Sequence, residues 1–234
     1  MSAIFRREFQ SYFHSVIGYI FISVFLVFAS YFFLFANIAS LSSDIRNLFY
    51  NLITILVFLI PILTMRCLSE ERRSKTDQIL LTSPVSVKDI VLGKYFAALC
   101  VFLIAIACTL VFPLILYAYG RPETGVILTV YTGFILLGAV FISIGLLVSA
   151  LTENQVIAAI LTFGILLFVQ LFDSIKGAIS SPAIVKVIEW LSLKERYGEF
   201  DLGIFNFEHI IYFITLIAII NFLTVQVIEK RRWS

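Results

Sequence analysis

Long apolar runs without charged side chains alternate along this chain with short charged segments. Six such runs are at least 19 residues long, and they cover residues 9–43, 47–65, 95–120, 124–152, 154–172 and 209–228. A helix needs about 20 apolar residues to cross the hydrocarbon core of a bilayer. Barrel strands would instead alternate apolar and polar positions over about ten residues, which these runs do not do. The pattern therefore predicts an all-α membrane protein. We expect six transmembrane helices, at roughly 17–38, 47–65, 95–119, 125–150, 154–172 and 209–228.

Composition supports the same class of protein. Hydrophobic residues make up 61% of the 234 residues and charged residues 14%, against about 45–50% and about 25% in soluble domains. A soluble protein of this size could not bury so much apolar surface. Soluble enzymes, nucleic-acid-binding modules and disordered regulators are therefore excluded, and the net charge of +2 gives no reason to expect an anionic partner.

The charges between the runs predict the topology. Residues 66–94 hold six Lys/Arg and four Asp/Glu, and residues 173–207 hold four and five. With the N-terminus inside, the cytoplasmic segments carry eleven Lys/Arg and the external segments six. Cytoplasmic loops are enriched in Lys and Arg, so we expect both termini and segment 66–94 in the cytoplasm. That segment could be only a solvated anchor for the topology, but its interleaved acids, bases and apolar residues favour docking to another protein.

Residues 5–17, before the first predicted span, form an amphipathic pattern. On a helical wheel the apolar side chains of this segment share one narrow arc: Phe5, Phe9, Tyr12, Phe13 and Val16. The polar side chains lie elsewhere on the wheel, which favours a helix lying in the membrane interface. The alternative is a simple cytoplasmic extension of the first span.

Two helix starts and one external helix can also be predicted. Residues 86–89 and 152–155 match capping boxes, which would open the third and fifth spans. Ser181 can cap a helix with Pro182 in its first turn. This helix has apolar residues at i, i+3, i+4 and i+7: Ile184, Val187, Ile188 and Leu191. It would lie on the outer rim of the bundle, either as part of an exit gate or as a lid that fills space.

Small residues recur along the fourth span. They are Gly133, Gly138, Ala139, Ser143, Gly145 and Ser149. Small residues let helix backbones approach closely in membranes. We expect this span to be buried against other helices of the same chain, with a dimer face as the alternative.

The sequence lacks the motifs of common membrane enzymes and coupled carriers. No stretch matches the phosphate-loop pattern G-x-x-x-x-G-K-[ST], because Lys94 after Gly93 is followed by Tyr95. The spans carry no ionisable residue of the kind that ion-coupled carriers place at mid-membrane. The two histidines lie near span ends, where packing or solvent contact explains them. We therefore expect no enzymatic activity, no metal and no cofactor on this chain.

Three stretches resemble a known family. Residues 68–86 with 90–94, residues 149–155, and residues 222–225 with 229–233 are similar to ABC type-2 transporter permeases. The subgroup they resemble most is the gliding-motility-associated and nitrous-oxide-reductase-maturation permeases. The resemblance covers essentially the whole chain, and the departures are small, Asp77 standing where a Glu is common.

The resemblance implies half of an exporter in a bacterial-type inner or plasma membrane. Two permease chains, identical or related, would form the pathway. Separate cytoplasmic ATPases would hold the ATP and magnesium. An additional membrane or extracytoplasmic subunit is compatible with this arrangement. A coupling helix between spans 2 and 3 would dock to the ATPase through Glu70, Glu71, Arg72, Arg73, Lys75, Thr76, Asp77 and Leu80. Short external helices between spans 5 and 6 would carry the gate residues 184, 187, 188 and 191.

Two other functions remain possible from the residues alone. The chain could be a non-transporting scaffold or assembly factor that recruits a cytoplasmic partner through segment 66–94. It could also be a channel or ion-coupled carrier, although the missing intramembrane charges disfavour this. Whether a bound partner hydrolyses ATP, and whether that hydrolysis responds to this chain, separates the first two functions.

Overall fold

The computed structural model describes residues 1–74, 86–120, 122–171 and 192–232, and over these residues the regular structure is helical throughout. We number the helices α1 to α10 in chain order. They are α1 Ser2–His14, α2 Val16–Phe33, α3 Arg46–Thr64, α4 Ser69–Arg73, α5 Val87–Thr109, α6 Val111–Tyr119, α7 Thr124–Leu151, α8 Gln155–Leu171, α9 Leu193–Asp201 and α10 Phe207–Arg232. A π-helical turn, Leu34–Ile38, continues α2. The all-α membrane class predicted from the sequence is confirmed.

Five stretches within the described residues are long and apolar enough to cross a membrane. They are Val16–Ile38, Arg46–Arg73, Val87–Tyr119, Thr124–Leu151 and Phe207–Lys230. The predicted fifth span corresponds to α8, which has 17 described residues and is apolar but shorter. At about 1.5 Å per residue it is about 26 Å long. The count of six spans therefore stays a prediction.

Helix α7 is the most buried of these stretches and lies at the centre of the bundle. Its small residues make this possible: a side chain at Gly138 would collide with the ring of Phe102 on α5, and one at Gly145 would collide with Thr64 on α3. The prediction that small residues bury this span against helices of the same chain is confirmed, since close approach is what they permit.

The predicted span 95–119 is two helices rather than one. Helix α5 begins at Val87 and ends at Thr109, and α6 follows after Leu110. Pro113 has no backbone N–H to donate to the Thr109 carbonyl four residues earlier. The hydroxyl of Tyr131 on α7 donates to that carbonyl instead, at 3.0 Å. The carbonyl left without its helical partner by the proline is thus satisfied by a neighbouring helix, as is usual for proline in membrane helices.

One predicted cap is confirmed and the other is wrong. Ser86 caps α5, and its hydroxyl accepts from the backbone N–H of Asp89 at 3.1 Å. Helix α8 is capped by Asn154, whose Oδ1 accepts from the N–H of Val156 at 2.9 Å. Thr152 does not cap it, because its hydroxyl turns back to donate to the Val148 carbonyl of α7.

The N-terminal amphipathic segment is a separate helix, but it ends three residues earlier than predicted. Helix α1 ends at His14 because Ser15 is extended, with φ −91° and ψ 160°. Val16 therefore belongs to α2, where it is exposed, and does not share the apolar arc of α1. Phe5, Phe9 and Phe13 form a row of contacting rings along α1. A position in the membrane interface stays a prediction for this helix.

Candidate functional site

The end of α3, helix α4, the start of α5 and helix α1 meet at one end of the bundle. Four charged side chains join α1, α4 and α5 there, and we call these the ion cluster: Arg7, Glu8, Glu71 and Lys94. Lys94 Nζ on α5 lies 2.9 Å from Glu71 Oε1 on α4 and 3.3 Å from Glu8 Oε2 on α1. Arg7 Nη2 lies 2.6 Å from Glu8 Oε1 and 3.0 Å from Glu71 Oε1. The cluster thus pairs two cations with two carboxylates and ties α1, α4 and α5 together.

The ammonium of Lys94 is held inside the protein. Only 1% of its side chain is exposed, so the desolvation of its charge has to be offset by close partners. The adjacent Gly93 lets α1 approach, since a Cβ there would lie 2.9 Å from Ile4 Cγ2. The sequence Gly93–Lys94 thus provides both the space for α1 and the charge that holds it.

Ser149 of α7 fastens the start of α4 from another side. Its buried hydroxyl accepts from the backbone N–H groups of Leu68 and Ser69, each at 3.1 Å, and donates to the Met65 carbonyl at 3.2 Å. These N–H groups precede α4 or open it, and a helix cannot satisfy such groups internally. Ser149 therefore serves as a cap supplied by a distant part of the chain.

Arg72 gives α4 a further link to the α7–α8 turn. Its Nη1 donates to the Leu151 carbonyl at 3.1 Å, and its Nη2 lies 2.6 Å from Glu153 Oε1. Together with the ion cluster and Ser149, this contact connects α4 to α1, α5 and the α7–α8 corner.

A cleft of about 340 Å³ opens between α1, α4 and α5 beside the ion cluster. Arg66 and Glu70 line this cleft and form a bidentate ion pair. Arg66 Nε lies 2.5 Å from Glu70 Oε2, and Arg66 Nη2 lies 2.8 Å from Glu70 Oε1. The buried phenol of Tyr12 lies on the α1 side of the cleft and donates to the Leu63 carbonyl at 3.0 Å. Burial raises the pKa of Tyr12 well above its ordinary value, since a phenolate would lose its hydration there.

The residues predicted for ATPase docking fall into two groups. Glu70, Glu71 and Arg72 lie in α4: Glu71 and Arg72 contact other parts of the bundle, and Glu70 pairs with Arg66 just before the helix. Arg73 is exposed at the end of α4. The others lie outside the described residues: Lys75, Thr76, Asp77 and Leu80. The predicted gate residues Ile184, Val187, Ile188 and Leu191 also lie outside them.

Sequence reasoning missed Glu8, Lys94 and Ser149 as parts of this site. Two signals were available. Glu8 is the one acidic residue in α1, and Lys94 is the one charged residue of α5 beyond its first turn. Their pairing could not be predicted, because 86 residues of sequence separate them.

The opposite end of the bundle carries a second polar group around His209. Arg196 Nη1 donates to His209 Nδ1 at 3.1 Å, and His209 Nε2 lies 2.5 Å from Glu199 Oε2. The guanidinium of Arg196 also lies over the ring of Tyr212, 4.0 Å from its centroid. Of the two explanations given for the histidines, packing rather than solvent contact applies to His209, which lies on α10 and is buried against α9.

Most of the chain matches a known family. Residues 39–193 match the family described as ABC-2 family transporter protein. The chain belongs to the ABC-2 transporter family. The matched region includes α4, α5 and the α7–α8 corner, which are three of the elements that meet at the end of the bundle carrying the ion cluster. No curated protein matches the chain.

Membership of the ABC-2 family bears on several of the expectations. It supports a multi-pass membrane protein that is a permease component of a transporter. Subunits of this family are generally transport components without enzymatic activity, and the family implies membrane embedding and a partner ATPase.

Proposed function

We propose that this chain is one half of an ATP-driven exporter in a bacterial-type inner or plasma membrane. A separate cytoplasmic ATPase, which holds the ATP and magnesium, docks at α4 and the residues that follow it. A second permease chain, identical or related, completes the pathway. Both termini are cytoplasmic, the bundle has six spans, and the chain belongs to the gliding-motility-associated and nitrous-oxide-reductase-maturation subgroup.

The observation that carries this proposal is the anchoring of α4 on several sides. Glu71 joins it to α1 and α5, Ser149 joins its first residues to α7, and Arg72 joins it to the α7–α8 turn. A five-residue helix has little stability of its own. These anchors make α4 part of the bundle, so a force applied to α4 reaches three neighbouring elements at once.

This geometry supports a mechanical mode of action. When ATP brings two ATPases together, α4 moves with them and carries α1, α5 and the α7–α8 corner along. The two permease bundles then tilt relative to each other, and the external segment 173–207 acts as the gate. Such a switch requires that the ATPase bind the two arrangements of the bundle with different affinities.

The structure favours Arg73 as the residue with which to test docking. The sequence suggests reversing the charges of Glu71 and Arg72 together, but both side chains are bonded within the bundle. Reversing them would disturb the helix anchors as well as the docking surface. Arg73 is exposed, so Arg73→Glu changes the docking surface alone.

The experiment compares co-purification of the ATPase with Arg73→Glu and with Arg6→Glu, a matched reversal at an exposed arginine of α1. We expect wild type and Arg6→Glu to retain an ATPase identified by mass spectrometry, and Arg73→Glu to lose it. Normal retention by Arg73→Glu would contradict docking at α4. A retained partner that hydrolyses no ATP would instead support the scaffold function.

A further inference from the structure

A crevice of about 140 Å³ lies at the end of the bundle opposite the ion cluster, between α3, α7, α8 and α9. Its walls include the apolar side chains of Ile53, Leu137, Phe141 and Val169. An engineered cavity of about 150 Å³ admits benzene. The crevice therefore has room for several carbons of an alkyl chain.

One face of α9 forms the polar side of this crevice. Lys194, Tyr197, Gly198 and Asp201 all line it, and they occupy positions i, i+3, i+4 and i+7 of the helix. This spacing places them in one stripe. A Cβ on Gly198 would meet nothing within 4 Å, so the glycine leaves open space in the middle of the stripe.

Two buried polar atoms of this stripe lack hydrogen-bond partners. The hydroxyl of Tyr197, a residue that is only 2% exposed, has none among the described residues, and neither has Oδ1 of Asp201. Leaving a buried polar atom unsatisfied is unfavourable, and such atoms are rare in folded proteins. A ligand group with several N–H donors, such as an ammonium, could donate to each of them.

The charges of the stripe indicate the kind of head group. Lys194 is exposed at the mouth, with Nζ 5.1 Å from the centroid of the Tyr50 ring. Asp201 lies two turns further along α9, at a distance of about 10 Å along the axis. Burial raises the pKa of Asp201, which nearby Arg46 partly opposes, so a cationic donor beside this carboxylate would be stabilising. One positive and one negative group on the same face match a head group that carries both charges.

We propose that this crevice binds a zwitterionic amphiphile, with its ammonium at Asp201 and Tyr197, its phosphate at Lys194, and its alkyl chain over Phe141 and Leu137. This site does not depend on docking of an ATPase at α4. A phospholipid of the bilayer and an amphiphilic cargo share this chemistry, and the experiment distinguishes these two sources.

The test uses the full chain in a non-ionic maltoside detergent. The probe is lysophosphatidylethanolamine with a photoactivatable diazirine in its alkyl chain, and the labelled peptides are identified by mass spectrometry. We expect labelling of the peptides that contain Ile53, Leu137 or Phe141. An otherwise identical lysophosphatidylglycerol probe, which lacks the ammonium, should label them severalfold less.

Two variants test the crevice itself. Gly198→Leu fills the open space and should reduce labelling to background, and leucine is compatible with a helix. The matched control is Gly164→Leu on α8, another helical glycine whose Cβ would meet nothing within 4 Å but which does not line the crevice. Tyr197→Phe removes one hydrogen bond and should weaken binding about three- to tenfold. Circular dichroism checks that each variant is folded.

The outcomes separate the alternatives. Absence of labelling in wild type, equal labelling in Gly198→Leu, or equal labelling by both probes would overturn the proposal. If the wild-type site is labelled, adding ATP to the complex with its ATPase identifies the source. A cargo is released by ATP and a resident lipid is retained, and either result supports the site.

Discussion

Replacing Lys94 by methionine tests the energetic role of the ion cluster. The substitution keeps a long unbranched side chain but removes the buried cation between Glu8 and Glu71. Breaking a buried ion pair in this way costs about 3–5 kcal/mol. The two carboxylates are 16% and 18% exposed, and Arg7 still contacts both. We therefore expect a smaller loss, of about 2 kcal/mol in the free energy of unfolding.

A second substitution shows whether the charge balance is responsible. Lys94→Met leaves one cation facing two carboxylates, and adding Glu8→Gln restores one of each sign. The double variant should therefore be more stable than the sum of the two single losses predicts, by at least about 0.5 kcal/mol, since contacting residues are energetically coupled. Lys88→Met, an exposed lysine of the same helix, should change stability by less than about 0.5 kcal/mol.

The assay is unfolding of the purified chain in mixed micelles by titration with sodium dodecyl sulfate, followed by circular dichroism. Equal stability of Lys94→Met and Lys88→Met would contradict a stabilising role for the ion pairs of Lys94. Simple addition of the two single losses in the double variant would contradict the role of charge balance.

Three further predictions use the same unfolding assay. Ser149→Ala leaves two buried backbone N–H groups without an acceptor and should cost about 2 kcal/mol. Thr132→Ala, at a half-buried position of the same helix where the hydroxyl bonds only within its own helix, should cost less; equal losses would contradict the capping role. Tyr131→Phe removes the donor to the Thr109 carbonyl and should cost about 1 kcal/mol; no measurable loss would mean that the carbonyl freed by the proline needs no partner. Burial in the folded chain raises the pKa of the Tyr12 phenol above its ordinary value of 10.0. The folded state therefore keeps this proton to a higher pH than the unfolded state does, and the free energy of unfolding should fall as pH rises above 10. Tyr12→Phe should weaken this fall, and an unchanged alkaline slope would contradict it.

The sequence predicts most of the fold because hydrophobic runs and helix length are local properties. The apolar runs place α2, α3, α7 and α10 within a few residues of their observed bounds. The break at Leu110 was not predicted, although Pro113 was visible, because tolerance of the proline depends on the Tyr131 hydroxyl from another helix. The cap of α8 was misassigned for a similar reason: both Thr152 and Asn154 can cap, and the geometry of the turn decides between them.

The candidate site was only partly predictable. The charged segment that contains Glu71 could be identified as a docking segment, since its charges interleave over a few residues. Its anchors could not, because Glu8, Lys94 and Ser149 come from three other helices and meet only in the folded bundle. A lysine inside an apolar helix is the clearest signal of such a site, since a buried charge requires partners.

The defining step of the proposed function is transmission of the ATPase's movement from α4 through buried bonds within the bundle. Its most direct test is the rate of ATP hydrolysis per bound ATPase in the reconstituted complex, compared between wild type and Lys94→Met at a temperature where both are folded. Only 1% of the Lys94 side chain is exposed, so the substitution cannot alter the docking surface directly. We expect equal amounts of bound ATPase and a severalfold loss of the stimulation that this chain gives to hydrolysis. Full stimulation in Lys94→Met would contradict it.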